Sequence, residues 1–345
     1  MPSTQETRAA LVELLYPSGI PRLVCPLLTH YRTDGSLDTD RISAHIAHMR
    51  PSVAGFLAPG STGDGWEMDA PETEELLDLL VDQAEAQNFS LMIGVLRTEP
   101  GTVVPGIESF LRRYTGGSGA ASDLKTRRIT AFTVTPPKGS DLTQETIQAE
   151  IAAIAATGVP VAIYQLPQIT ENEMAPETVE TLVSRYPNIY LLKDTSGADR
   201  VVLAKPELDN LYLVRGAEGD YAEWLKDNGG YYDGLLLSTA NSFAADLGRT
   251  IRLVEEGRAD EAKELSDRIT AVVTAIFADA QHLPYGNPFA NANKALDHHF
   301  AWGSKAQLQP PPMTHSGNAL PRDLIDRAGA LLSDYRFEIG PGYMN

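Results

Sequence analysis

A single cysteine, Cys25, stands in a chain of 345 residues. No internal disulfide can form, which fits a reducing compartment. Basic residues are also scarce, 28 Lys and Arg against 46 Asp and Glu, for a formal charge of -18. An acidic surface of this kind disfavours nucleic acid and anionic membranes as partners. The acids are spread through stretches such as PETEELLDLLVDQAEA, from Pro71 to Ala86. They read as a solvated helix face and not as an acidic tail. No apolar run approaches the roughly 20 residues of a membrane helix. The N-terminal MPSTQETRAALVELLYPSG lacks the basic start and apolar core of a signal peptide and reads as a short amphipathic lead-in. The expected location is cytoplasmic, by default.

Several cofactor signatures are missing too. The turn GSTGDG (Gly60 to Gly65) lacks the Lys-Ser/Thr of a nucleotide-binding phosphate loop, and HExxH is absent. The pairs His298/His299 and His45/His48 have no third ligand at suitable spacing. Structural or surface roles are expected for them, with no metal site. There is no internal repeat. One looser run, TGGSGAASDLKTRR, predicts a flexible surface insertion from Gly116 to Arg128.

What is present is a strong alternation. With 43% hydrophobic residues the chain can form one large α/β domain with an appendage, or two ordinary domains. Short apolar runs predict strands at Arg22 to Leu28, Gly55 to Ala58, Ser90 to Leu96, Ile129 to Val134, Val159 to Tyr164, Ile189 to Leu192, Leu211 to Val214 and Gly234 to Leu237. Helical patterns separate them, among them Leu37 to Met49, Thr102 to Tyr114, Gln144 to Ala156, Pro176 to Tyr186, Arg200 to Pro206, Tyr221 to Asn228 and Phe243 to Glu256. The helix after the second strand opens on Asp69-Ala70-Pro71-Glu72, with proline and acids in its first turn. Eight strand-then-helix units predict a (β/α)8 barrel over 20–257, with a lead-in at 1–19 and a C-terminal helical appendage over 258–345. A doubly wound sheet would have fewer strands and a phosphate loop after the first, which RLVCPLLTHYRTDG does not supply.

In such a barrel the active site lies at the C-terminal strand ends. Lys193 stands where the run Ile189 to Leu192 stops. Burying an ammonium without a partner is costly, and desolvation favours the neutral amine that can attack a ketone. On this stretch alone, a strand-edge lysine whose head snorkels to water fits as well. Tyr164 ends the fifth strand, and Ser61 and Thr62 lie in the glycine turn after the second. An amine, a phenol and a hydroxyl-bearing turn are what imine chemistry on a 2-oxo acid requires. Each also has a plainer reading: Ser61 and Thr62 as turn caps, Tyr164 as a core tyrosine with a satisfied hydroxyl, Cys25 as a small buried hydrophobe.

The segments GSTGDG (Gly60 to Gly65), TVTP (Thr133 to Pro136), YQLP (Tyr164 to Pro167) and KDTSG (Lys193 to Gly197) resemble the dihydrodipicolinate synthase / N-acetylneuraminate lyase family. The resemblance runs from about Ile20 to the LPYGNPFANANKAL stretch ending at Leu296. It implies a class I aldolase or lyase on a (β/α)8 barrel with extra C-terminal helices. By that likeness Lys193 is the Schiff-base lysine and Tyr164 the proton shuttle, with Gln165 where the family has Asn. Ser61 and Thr62 match the pair that holds the 2-oxo acid carboxylate. No cofactor is implied, since the lysine is itself the electron sink. A homo-oligomer, tetramer or dimer, is also implied.

The departures narrow the substrate. Ile169 stands where the synthases carry an arginine, and Pro137 and Lys138 where they carry a relay tyrosine, so dihydrodipicolinate synthesis is disfavoured. Serine first in GSTG resembles the neuraminate lyase form. Glu218 and Ser238 fall where that lyase places polar groups for a polyhydroxylated substrate; they read equally as solvated loop. KDTSG is similar to sugar-acid aldolases and dehydratases. The expected reaction is cleavage of a 2-keto-3-deoxy sugar acid, or a related 2-oxo acid, to pyruvate plus an aldehyde. The alternatives are a dehydratase using the same imine and a non-catalytic binder of 2-oxo acids.

Overall fold

The computed structural model describes residues 3–204, 208 and 210–345. Its centre is eight short strands: β1 (Leu23–Pro26), β2 (Gly55–Ala58), β3 (Ser90–Gly94), β4 (Ile129–Val134), β5 (Val161–Gln165), β6 (Ile189–Asp194), β7 (Tyr212–Arg215) and β8 (Gly234–Leu236). Each pairs in parallel with the next, and β8 returns to β1 to close the barrel. Strands buried on both faces need near-continuous apolar sequence. Side chains alternate, so one set fills the barrel and the other packs under the helices. Val24, Leu57, Met92, Ala131, Ala162, Leu191, Val214 and Leu236, one from each strand, form the inner layer. Phe56, Ile93, Phe132, Ile163 and Leu192, each next in sequence to an inner-layer residue, belong to the outer core.

The helices are α1 (Thr4–Leu15), α2 (Thr39–Met49), α3 (Ala70–Gln87), α4 (Val103–Thr115), α5 (Ala121–Thr126), α6 (Gln144–Ala155), α7 (Pro167–Thr170), α8 (Pro176–Arg185), α9 (Arg200–Ala204), α10 (Ala240–Glu255), α11 (Ala259–Ala280), α12 (Pro288–Trp302) and α13 (Arg322–Asp334). Several begin as the sequence predicts. Asp69 caps α3 in a capping box with Glu72, and proline stands in its first turn. No helix among the described residues is long and apolar enough to cross a membrane.

The N-terminal lead-in is a stopper for the base of the barrel. Ser3 and Glu6 form a capping box that starts α1. Arg8, fully buried, donates to the carbonyls of Ile189 at 2.7 Å and of Val183. The Tyr16 hydroxyl meets Thr130 Oγ1 at 2.7 Å and the Tyr190 hydroxyl at 3.0 Å.

Two expectations are corrected. The Gly116 to Arg128 run is not a flexible insertion: Gly116 and Gly117 take left-handed φ of 64° and 92° to end α4, and α5 follows. Its leucine, Leu124, is 1% exposed, and α5 packs against α1. Glycine content marked the turn, but one buried leucine anchors the segment. The Tyr221 to Asn228 stretch is not an α-helix; only Lys226–Asn228 forms a 3-10 turn. Gly219 and Asp220 are left-handed there, and Arg215 donates to the carbonyls of Ala217 at 3.1 Å and Gly219 at 2.8 Å. Within the segment the carbonyls are taken by other donors: Trp224 O accepts from the amides of Tyr231 and Tyr232, and Ala222 O from Asn228 Nδ2 at 3.2 Å. Of the helix expected from Arg200 to Pro206, residues 200–204 are helical, and 205–206 lie outside the described residues.

Candidate active site

Strand register alone aims the central pair. Ala162 and Leu191 belong to the inner layer, so Tyr164 and Lys193, each two residues on, also point into the barrel at its C-terminal mouth. The two residues are direct partners across β5 and β6. Lys193 is 3% exposed and Tyr164 2%. The lysine Nζ lies 4.0 Å from the centroid of the tyrosine ring, a cation–π distance. Among the described residues Nζ has no carboxylate and no hydrogen-bond acceptor as a partner. The lysine does not snorkel to water.

Space for that side chain depends on Gly216. A Cβ there would stand 2.9 Å from Lys193 Cε and 2.2 Å from Thr195 Oγ1. Thr195 Oγ1 is itself buried without a hydrogen-bond partner. Behind it the chain turns on Ser196, whose amide donates to Asp194 Oδ1 at 2.9 Å, and on Gly197 at φ 70°. Burial pushes the Asp194 carboxyl up.

The glycine turn folds back on β1. Gly63 has no room for a Cβ, which would stand 2.3 Å from the Leu27 carbonyl oxygen. Ser61 and Thr62 therefore sit in a tight 3-10 turn at the cavity wall. Trp66 Nε1 donates to Ser61 Oγ at 2.8 Å, leaving the serine proton free to donate. Asn287 Nδ2 holds the Ser61 carbonyl at 2.9 Å.

Glu218 and Ser238 line the same cavity, and they are bonded to each other. The Glu218 carboxylate accepts from Ser238 Oγ at 2.6 Å, Thr239 N at 3.1 Å, Thr239 Oγ1 at 2.6 Å and Tyr221 OH at 2.9 Å. Burial, reinforced by the Glu218 charge, pushes the Tyr221 phenol well up, so it remains a donor.

The cavity has a volume of ≈ 230 Å³. All six residues singled out from the sequence line it: Ser61, Thr62, Tyr164, Lys193, Glu218 and Ser238. The sequence reading missed Thr195, although it lies inside KDTSG, and Phe277, Asn287 and Phe289, which the C-terminal helices bring across the mouth. No local pattern marks a helix as a lid. Asn287 alone left a signal, as the residue before Pro288: its side chain caps α12.

The departures from the family pattern fall in different places. Gln165 faces away from the cavity and accepts from Met174 N at 2.8 Å. Ile169 forms part of the cavity wall. Lys138 is turned outward to Glu171 at 3.1 Å.

Of the four histidines singled out, His45, His298 and His299 are buried and structural, whereas His48 is exposed and stacks on Tyr343 with ring centroids 4.7 Å apart. His298 and His299 bond the carbonyls of Ala306 and Ile325, each at 2.8 Å. His45 does have partners, supplied by distant segments: His30 at 3.0 Å and Asp297 at 3.4 Å. These three are the one group among the described residues with donor atoms close enough for a metal. Arg41 already occupies Asp297 at 2.6 Å, and Tyr343 bonds both carboxylate oxygens. A second cation would meet a guanidinium at its only anionic ligand, so the donor set fits an ion-pair network and not a metal.

A sequence model of the Dihydrodipicolinate synthetase family matches residues 129–288. The chain is 25% identical over 268 residues to the 4-hydroxy-tetrahydrodipicolinate synthase of Persephonella marina, covering 76% of this chain and 84% of that one. The corresponding enzyme of Stutzerimonas stutzeri is 26% identical over 263 residues, covering 75% and 83%. Among solved structures, YagE of E. coli K12, a prophage protein of the dihydrodipicolinic acid synthase family in complex with pyruvate, aligns at TM-score 0.71 and 16% identity, over 92% of this chain and 99% of that one. A variant of the Sulfolobus solfataricus 2-keto-3-deoxygluconate aldolase, in complex with L-2-keto, 3-deoxy-galactonate, aligns at 0.69 and 14%, over 92% and 96%. At such identities the structural likeness shows the shared barrel. The family match over residues 129–288 and the curated relatives make this chain similar to the dihydrodipicolinate synthetase family.

Proposed function

We propose that this protein is a class I lyase that cleaves a 2-oxo acid with a hydroxyl at C4, the unit carried by 2-keto-3-deoxy sugar acids, to pyruvate plus an aldehyde. The observation that carries the reading is the unpaired, buried Lys193 amine set against Tyr164 in a cavity with hydroxyls at hand.

Lys193 Nζ attacks the C2 carbonyl, and loss of water gives the protonated imine. The substrate carboxylate is held by Ser61 and Thr62. Tyr164, having given its proton to the C2 hydroxyl that leaves as water, removes the C4 hydroxyl proton, the C3–C4 bond breaks, and its electron pair moves through C3 to the imine nitrogen. The aldehyde leaves; the enamine takes a proton at C3, and water releases pyruvate and restores the amine. No external cofactor takes part in these steps.

Dihydrodipicolinate synthesis proper is disfavoured. Its aldehyde carries a second carboxylate, whereas Ile169 stands in the wall and Lys193 is the only cation lining the cavity among the described residues. Self-association into a dimer or tetramer is part of the same proposal, and the molar mass in solution tests it.

The decisive experiment is borohydride trapping with pyruvate, read by intact mass and peptide mapping. A reduced adduct on Lys193, absent from Lys193→Ala, supports the imine. Its absence with pyruvate and with longer 2-oxo acids, on folded protein, would leave a binder in place of an enzyme.

A further inference from the structure

We infer that the aldehyde released here is aromatic and not polyhydroxylated. This rests on the imine reading above and specifies the other half of its substrate.

The cavity is divided by chemistry. Lys193, Tyr164, Ser61, Thr62 and Thr195 supply the polar lining on which the 2-oxo acid would be anchored. An apolar part of the wall comes from Leu166, Ile169, Ala217, Phe277 and Phe289. Hydroxyls of a sugar chain lying against these apolar side chains would lose water without a partner there, which is a cost.

Polar groups near that wall are each partly committed to the fold. Glu218 accepts four hydrogen bonds, one of them from Ser238. Asn287 Oδ1 accepts from the amides of Phe289 at 2.9 Å and Ala290 at 3.4 Å, and its Nδ2 holds Ser61 O. Gln168 Nε2 donates to Thr195 O at 3.0 Å. Ser196 Oγ accepts from the amides of Ala198 and Asp199, each at 3.2 Å.

The wall also has aromatic geometry. Phe277 and Phe289 meet edge to face, with centroids 5.2 Å apart and planes at 77°. Phe289 remains 37% exposed at the mouth, a large apolar surface that a third ring would cover. Size agrees: a cavity of about 150 Å³ accepts benzene, and this one, at ≈ 230 Å³, has room for a three-carbon pyruvyl unit beside such a ring.

The synthetic direction gives the test. The enamine of pyruvate on Lys193 forms a carbon–carbon bond to the aldehyde carbon, Tyr164 protonates the aldehyde oxygen, and water frees the 4-hydroxy-2-oxo acid. Benzaldehyde and D-glyceraldehyde are compared as acceptors by kcat/KM, with pyruvate fixed. Benzaldehyde is the less electrophilic, so a preference for it is conferred by the pocket. The expected preference is at least about tenfold. Phe289→Ser and Ile169→Gln should each lower the benzaldehyde-to-glyceraldehyde ratio about tenfold; Phe289 is exposed enough for the first variant to fold. A glyceraldehyde preference, or a ratio unmoved in both variants, overturns the inference. Borohydride trapping separates the causes. An adduct on Lys193 with a glyceraldehyde preference removes only the aromatic assignment, whereas no adduct at all removes the imine reading and this inference with it.

Discussion

Tyr164 and Lys193 face each other across adjacent strands, with the lysine Nζ 4.0 Å from the phenol ring centroid. The ring shields one side of the amine and places the hydroxyl in the same cavity. Removing that hydroxyl should affect proton transfer more than imine formation. Tyr164→Phe is expected to lower kcat by about 10²–10⁴ and still yield a borohydride adduct with pyruvate. Lys193→Ala should yield none. A Tyr164→Phe enzyme with unchanged kcat would remove the phenol from the mechanism.

Gly216 is the neighbour that gives the lysine stem its space. In Gly216→Ala the new methyl meets Thr195 Oγ1 at 2.2 Å and Lys193 Cε at 2.9 Å, so both side chains must shift. We expect kcat/KM to fall at least tenfold, about the effect of displacing a reacting group, with about 1–3 kcal/mol lost in urea unfolding. Full activity at unchanged stability would show that the lysine stem can relocate freely.

The barrel was legible because its signal is repeated. Eight apolar runs, each followed by a helical pattern, mark the fold even where single boundaries are off. The polar part of the site was legible for the same reason: Ser61, Thr62, Tyr164 and Lys193 lie at or just beyond strand ends, and strand ends converge. Glu218 and Ser238 were placed at the cavity, but their mutual hydrogen bond was not, since residues 20 positions apart in sequence carry no pairing signal. The lid was illegible: Phe277 and Phe289 read as ordinary apolar positions on helices, and only tertiary packing turns them over the mouth. The partners of His45 were missed likewise, because Asp297 approaches from the far end of the chain.

That network supports a stability prediction. Burial pushes the Asp297 carboxyl up, but the facing His45, Arg41 and His30 outweigh it and hold the group well below the usual carboxylate range. A depressed acid adds stability above its unfolded pKa near 3.9 and loses it as the pH falls below that value. Asp297→Asn keeps the shape and leaves Arg41 buried without its counter-ion. The expected loss is about 3–5 kcal/mol near neutral pH. Arg41→Met added to Asp297→Asn should recover part of it. A double variant no more stable than Asp297→Asn alone would mean that the carboxylate's bonds to Tyr343, and not the charge pair, hold this region.

His298 gives the opposite case, an imidazole that folding keeps neutral. Burial pushes it down to about 4 against the Ala306 carbonyl bond, and the charges of Arg41 and His299 act in the same direction as burial. Its Nε2 donates to Ala306 O at 2.8 Å and its Nδ1 has no partner. In the unfolded chain the group titrates near 6.5. Between about pH 6.5 and 4 the unfolded state therefore binds the extra proton, and the contribution of His298 to stability, complete above 6.5, is lost as the pH falls. His298→Asn is neutral throughout. The stability advantage of the natural protein over this variant should shrink by about 2 kcal/mol between pH 7.5 and 5, measured by urea unfolding of both proteins at each pH. Because other buried acids titrate in both proteins alike, the difference isolates this imidazole. A constant difference across the window would mean that His298 already takes its proton in the folded state.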